Sequence, residues 1–237
     1  MLWTPLPVRA QQTSVALTSE LGLAVNLYNN VAVPGETGTR ISLTEDWSSD
    51  PVLAPRLSLA ILIDGRHEVG VLAAPLRITG EGTFDEPVRF AEETYAPDTP
   101  TRSRYRFDSY RVSYRYRLVD RKALTLAVGA SAKLRDAAIE LEQGTLGGET
   151  TDTGFVPLLA SRLRVRLGGP LWLLVDAEAL VGPQGRAEDA LLAAEIAPRD
   201  RLHVYVGARA LEGGADVESV YNFTLVGYGV LGASLRF

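Results

Sequence analysis

Catalysis needs nucleophiles, acids, bases or metal ligands within reach of one another, and this chain holds few of them. It has no cysteine and two histidines, which removes thiolate zinc sites, cysteine nucleophiles and disulfide frameworks together. His67 follows Asp64-Gly65-Arg66 and His203 follows Pro198-Arg199-Asp200. Both therefore stand next to turns, and His203, near Tyr205 and Arg209, reads as a packed polar residue rather than a general base. No Gly-x-Ser-x-Gly elbow is present. The glycines of Gly80-Glu81-Gly82, Gly147-Gly148 and Gly213-Gly214 precede no helical pattern and match no phosphate loop. Between Glu81 and Ser103 lie Glu81, Asp85, Glu86, Glu92, Glu93 and Asp98. A hard cation wants several carboxylates at one point, and Pro97, Asp98 and Pro100 mark an irregular, solvated loop. No catalytic residue, metal site or cofactor is assigned.

What the chain does carry is charge at a spacing of two. Arg111, Arg115 and Arg117, then Lys133 and Arg135, then Arg162, Arg164 and Arg166 form three basic rows. Asp176 and Glu178, then Asp189 and Glu195, form two acidic rows directly after them. Glu20, Arg209 and Arg236 extend the set toward the chain ends. The chemistry offered is ion pairing. A period of two belongs to strands, whose successive side chains point to opposite faces, so the rows must be presented by a sheet.

The intervening positions agree. From Tyr221 to Phe237 every second residue is apolar or glycine: Tyr221, Phe223, Leu225, Gly227, Gly229, Leu231, Ala233, Leu235 and Phe237. The same alternation runs through 201–211, 171–181, 155–167, 123–135, 106–118, 56–64 and 15–27; two segments are weaker, 67–80, apolar on both faces, and 187–197, which alternates only in part. That makes ten candidate strands, or eight if the two weak segments do not span. Tight turns are expected at Asp64-Gly65-Arg66, Asp120-Arg121, Gly168-Gly169-Pro170 and Pro198-Arg199-Asp200, with Asp-Gly the strongest. The other connections, near 28–54, 81–103, 142–153, 182–187 and 212–219, read as mostly longer, polar loops. Short and long links alternate, so an up-and-down sheet gathers all tight turns at one end.

Alternation alone does not say which face meets solvent. Charged rows of one sign on adjacent strands repel when they all face water, but rows inside a closed barrel can pair across the lumen. The arrangement with apolar residues outside explains the charges better. The strand Tyr110-Arg111-Val112-Ser113-Tyr114-Arg115-Tyr116 and the closing strand Tyr221 to Phe237 resemble those of bacterial outer-membrane β-barrels. The resemblance covers about residues 13–237 and identifies no subfamily. It implies an all-β, closed, antiparallel up-and-down transmembrane barrel in the bacterial outer membrane, surrounded by lipid and lipopolysaccharide. It also implies a C-terminal signal for the barrel-assembly machinery, here Tyr221, Phe223, Leu231, Leu235 and Phe237. Interface aromatics would be Tyr114 and Tyr116 with Phe237 toward the turn end, and Tyr110 and Phe155 with Tyr221 and Phe223 toward the loop end.

Composition fits one such domain. The chain has 237 residues, 46% hydrophobic and 22% charged, with a net charge of -5. This excludes disorder for most of its length and gives nucleic-acid binding no support. No run of apolar residues reaches the length of a membrane-spanning helix. Residues 1–12, with Val8-Arg9-Ala10 before Gln11, read as the remnant of a signal peptide or a disordered start. The function expected is a structural or surface role with a plugged lumen, or limited passage of a small ligand, and no enzyme activity. The rivals are a soluble exported lipocalin-like binder with its apolar faces inside, and an outer-membrane lipid or peptide hydrolase with catalytic groups at the loop end.

Overall fold

The structure, a computed structural model, describes residues 13–45, 47–182 and 185–237. Residues 1–12, and with them the expected signal remnant, lie outside the described residues. The chain forms β1 (Ser14–Ala32), β2 (Ile41–Ser42), β3 (Trp47–Ser48), β4 (Val52–Ile63), β5 (His67–Ala74), β6 (Arg77–Gly82), β7 (Val88–Phe90) and β8 (Glu93–Tyr95). These are followed by β9 (Thr101–Arg121), β10 (Leu124–Gln143), β11 (Leu146–Gly168), β12 (Leu171–Gly182), β13 (Gly185–Arg199), β14 (Leu202–Val217) and β15 (Val220–Arg236).

Ten positions close into a ring. The order is β1, β4, β5, β9, β10, β11, β12, β13, β14, β15 and back to β1, every neighbour antiparallel. The last contact seals the barrel by pairing Ala16 with Arg236 and Ala32 with Tyr221. Both weak segments span, so the eight-strand alternative is not realised. Residues 67–80 do so in two pieces, because Pro75 interrupts the ladder between β5 and β6, and both pieces pair with β9.

At one end the turns are tight. Asp64 and Gly65 have φ of 52° and 68°, and the Arg66 N–H donates to the Ile63 carbonyl at 3.1 Å. Two successive positive φ values make a primed hairpin turn, which suits Asp-Gly. The other tight turns fall at 122–123, 169–170 and 200–201. Asp120-Arg121, expected as a turn, instead ends β9, with Arg121 paired to Leu124.

At the other end the expected long loops are largely strand. Gln143 pairs with Leu146, Gly182 with Gly185 and Val217 with Val220, so these hairpins need no long connection. Strands β9, β10 and β11 run for 21, 20 and 23 residues, about twice the ~9–11 that cross a bilayer as a barrel strand. The segment expected to be a solvated acidic loop is also ordered: β7 and β8 form a hairpin whose Phe90 and Tyr95 are fully buried, packed with Phe84 and Val88.

Face chemistry divides the barrel into two zones. In the turn-end zone Leu21, Leu23, Leu57, Val71, Val112, Leu159, Leu192, Val206 and Leu231 point outward and are exposed. Glu20, Arg56, Arg111, Arg115, Glu178 and Asp189 point inward and are buried. This is the inverse of a soluble binding barrel and overturns the lipocalin-like alternative. In the loop-end zone the buried side is apolar, with Ile78, Tyr105, Phe107, Ile139 and Leu141, while Arg102 and Arg104 are exposed outside.

Candidate functional site

The lumen of the turn-end zone holds a connected set of ion pairs. The members are delivered by the period-two alternation of eight wall strands, with β9 and β12 supplying two each, so the closure of the ring brings together charges that lie far apart in sequence. Asp189 on β13 meets three guanidiniums: Arg56 Nη2 at 3.0 Å, Arg111 Nη2 at 2.6 Å and Arg209 Nη1 at 2.5 Å. Glu178 on β12 takes Arg111 Nη1 and Arg115 Nη2, each at 2.8 Å, and the Ser131 hydroxyl at 3.0 Å. Glu20 accepts from Arg209 Nε at 2.8 Å and from the Tyr205 hydroxyl at 2.7 Å, with Arg56 Nε at 3.4 Å. Asp176 and Glu68 share Arg162 at 2.6 and 2.7 Å, and both also approach Arg115.

The balance is five against five: Arg56, Arg111, Arg115, Arg162 and Arg209 against Glu20, Glu68, Asp176, Glu178 and Asp189. Burying an unpaired charge costs several kcal/mol per ion even after relaxation. Here every carboxylate of the set meets at least two guanidiniums. A smaller cluster lies toward the turns, where Glu195 pairs with Arg164 and sits 3.0 Å from His203 Nδ1, and Arg164 stacks over Trp172 at 4.8 Å.

Five of the expected lumen charges belong neither to this network nor to the smaller cluster. Arg117 reaches only Asp120, at 4.0 Å. Arg166 donates to the Gly169 carbonyl at 2.8 Å at the turn end. Arg135 pairs with Asp152 higher up the wall. Lys133 and Arg236 form no ion pair among the described residues, although Lys133 is buried to 2% exposure with its ammonium 4.6 Å above the Phe107 ring. Two central members are absent from the charged rows of the sequence. Arg56 is a single inward charge among the apolar residues of its strand, and Glu68 lies in the weakly alternating segment 67–80.

The network residues line one of two cavities that share no lining residue. That one, toward the turns, has a volume of about 210 Å³ and is also bounded by Arg117, Arg164 and Arg236. The one toward the loops has a volume of about 640 Å³ and lies between β9–β11 and β12–β15. His67 is exposed on the outer wall, with Nδ1 2.9 Å from the Tyr114 hydroxyl, and His203 is at the turn end of the lumen. Among the described residues no three His, Asp or Glu side chains converge as a metal group.

The aromatic residues take the outer wall. Tyr110 and Phe155 flank Leu134 in one cross-strand row at the loop-end edge of the apolar band, 45% and 68% exposed. Tyr114 and Tyr116 lie lower on β9, where Tyr116 accepts from Arg66 Nη1 at 3.1 Å. Tyr221 and Phe223 pack together with centroids 5.2 Å apart at the loop-end edge. Leu231 and Leu235 face outward on β15, and Phe237 follows them, its N–H donating to the Val15 carbonyl at 2.8 Å.

No protein-family model and no curated protein matches this sequence. Solved structures do. The outer membrane protease OmpT from Escherichia coli superposes with a TM-score of 0.64 at 8% identity, over 94% of this chain and 97% of that one. The transport unit of the Escherichia coli autotransporter AIDA-I gives 0.49 at 10% identity, over 99% and 93%. Identities this low speak to the fold alone: the chain has the fold of the bacterial outer-membrane β-barrels, in a ten-stranded form.

Proposed function

We propose that this protein resides in a bacterial outer membrane as a non-conducting barrel, closed by its lumenal charge network and carrying a β-structured extension beyond the bilayer, with a structural or surface role. The observation that carries the reading is the five-against-five network. It spans the lumen from β1, β4 and β5 to β11, β12, β13 and β14, so an ion crossing the barrel would have to break buried pairs. The outward apolar band supports the membrane placement, because a ring of exposed Leu and Val has no stable counterpart in water. A hydrolase reading draws no support from the histidines, which both lie at the turn end rather than beside the loops. Lipid, lipopolysaccharide and the assembly machinery are the partners this placement entails, the last through the β15 row ending at Phe237.

The test combines two measurements on the purified protein. It is expected to need detergent and to migrate faster on a denaturing gel before boiling than after. In planar bilayers the wild type is expected to stay silent, while Asp189→Ala gives openings. Steady conductance by the wild type would overturn the closed-lumen reading, and a freely soluble monomer would overturn the membrane placement.

A further inference from the structure

The ladder between β11 and β12 stops early. Its last pair on the loop side is Leu159↔Ala179, yet β11 continues to Leu146 and β12 to Gly182. Among the described residues, β11 above Leu159 pairs only with β10. Pro157 stands two residues past the last pair and has no N–H to give a ladder, which suits an edge. The wall is therefore open on one side at the upper border of the apolar band. The rim of the opening holds strongly exposed apolar side chains: Phe155 at 68%, Leu159 at 69% and Val181 at 72%.

Behind the opening lies the 640 Å³ cavity, within the ~300–1,000 Å³ range of small-molecule sites. Phe155, Pro157 and Leu180 line it on the gap side, and Gly213 leaves room on the far wall opposite Phe107. Its charged groups are Lys133, Arg135, Asp152 and Arg186, with Thr150, Thr151, Ser219 and Asn222 as further polar lining. Arg135 pairs with Asp152, and Arg186 with Glu212. Lys133 has no carboxylate and no hydrogen-bond acceptor among the described residues, only the face of Phe107, although nearly every other inward charge in the zone below is paired. A buried lysine whose only contact of this kind is an aromatic face holds its charge best beside an anion, so the site favours an anionic ligand over a neutral one.

We infer that this cavity is a binding site for an amphipathic anion, a single alkyl chain with a carboxylate or phosphate head. Lys133 holds the head and the chain passes through the β11–β12 opening against Phe155, Pro157 and Leu180. The route of entry from the bilayer rests on the membrane placement proposed above, whereas the site itself does not.

The test uses the full chain in phospholipid nanodiscs and a dansyl-labelled fatty acid as the probe. Saturable binding is expected, weakened at least tenfold by Lys133→Met, which keeps the volume of the side chain and removes its charge. The corresponding fatty alcohol should bind weakly to both forms with no difference between them. A wild type that does not saturate, or a Lys133→Met variant that binds the acid as tightly as wild type, overturns the site. Gel mobility before and after boiling confirms that the variant is folded, and Ala187→Trp, which fills the cavity without touching Lys133, should abolish binding of both probes. Entry is tested by single thiols in this cysteine-free chain. A bulky maleimide on Val181→Cys should slow association several-fold, and the same label on Val206→Cys, exposed on the far wall, should not. Equal rates would overturn the lateral route even if equilibrium binding, and with it the site, stands.

Discussion

Strand β9 contains both halves of this molecule in one run. From Ser109 to Arg117 its inward residues are Ser109, Arg111, Ser113, Arg115 and Arg117, while Tyr110, Val112, Tyr114 and Tyr116 face out. From Thr101 to Phe107 the same inward parity gives Thr101, Ser103, Tyr105 and Phe107, with Arg102, Arg104 and Arg106 outside. No bulge separates the two stretches; the register with β10 is continuous from Arg102 to Arg117. The strand geometry is one, and the two faces exchange character. Below Tyr110 the outer face is apolar and the interior holds the polar groups, as the proposed bilayer placement requires. Above it the outer face is charged and the interior is an apolar core, capped by the β7–β8 hairpin. Outside, the upper zone is laced by exposed pairs, Arg102 with Glu81 and Arg104 with Glu140 and Glu142, which add little stability individually. Below, the pairs are buried and each one matters, because losing a partner strands a charge away from water.

The comparison is attacked first at its strongest point. Asp189→Ala removes the carboxylate shared by Arg56, Arg111 and Arg209, leaving three cations with fewer partners. The expected loss is about 3–5 kcal/mol, read as a lower temperature for the conversion of the fast-migrating to the slow-migrating gel form. Glu178→Ala should behave similarly, since Glu178 serves Arg111 and Arg115. Glu92→Ala, at an exposed position of the hairpin turn, should leave the transition unchanged. Equal shifts for the lumenal and the hairpin changes would show that the network contributes nothing to stability.

The second test exchanges the outer faces. Leu159→Arg places a charge on the apolar band and is expected to cost about 2–4 kcal/mol if the site lies near the bilayer centre, less toward its edge. Arg102→Leu makes the opposite change above the band and should stay within about 0.5 kcal/mol. Urea unfolding of the reconstituted protein measures both. Similar costs at the two positions would mean that the boundary drawn at Tyr110 is misplaced.

How far this division was readable in the sequence follows from its physics. The ring of ten strands and the outward rows could be read because alternation between hydrocarbon and charge is the largest contrast a strand can show. The acidic rows Asp176-Glu178 and Asp189-Glu195 opposite the arginine rows announced the network for the same reason. Arg56 and Glu68 were harder to place, since a lone charge in an apolar strand carries no row. The upper zone resembles loops in sequence because polar, glycine-rich segments such as 142–153 lack an apolar outer face. Its alternation was nonetheless present, in Thr101, Ser103, Tyr105 and Phe107 against Arg102, Arg104 and Arg106. The gap between β11 and β12 left one mark, Pro157 inside an otherwise regular strand.

The smallest effect probes how the upper core is held. The Tyr95 hydroxyl donates to the Leu141 carbonyl at 3.0 Å and so ties the β7–β8 hairpin to β10. Burial, with the nearby Glu93 charge second, pushes its phenol above the ordinary value of 10.0. A group whose folded pKa is raised contributes below its unfolded value and stops contributing as pH rises through the folded one. The tie should therefore persist through neutral and mildly alkaline conditions and fail only above about pH 10. Tyr95→Phe removes the bond at all pH values at a cost of about 0.5–1.5 kcal/mol, seen as faster cleavage of the 83–100 segment by an alkaline-active protease such as subtilisin. The difference between wild type and Tyr95→Phe should be constant near neutrality and shrink as the wild-type phenol ionises. Equal cleavage of wild type and Tyr95→Phe near neutrality would mean the ring alone holds the hairpin, through Phe84 and Phe90, and that the hydroxyl is incidental. In either case the conversion of the barrel between its two gel forms should not move, because the upper core and the lumenal network are held by different forces on the two sides of one boundary.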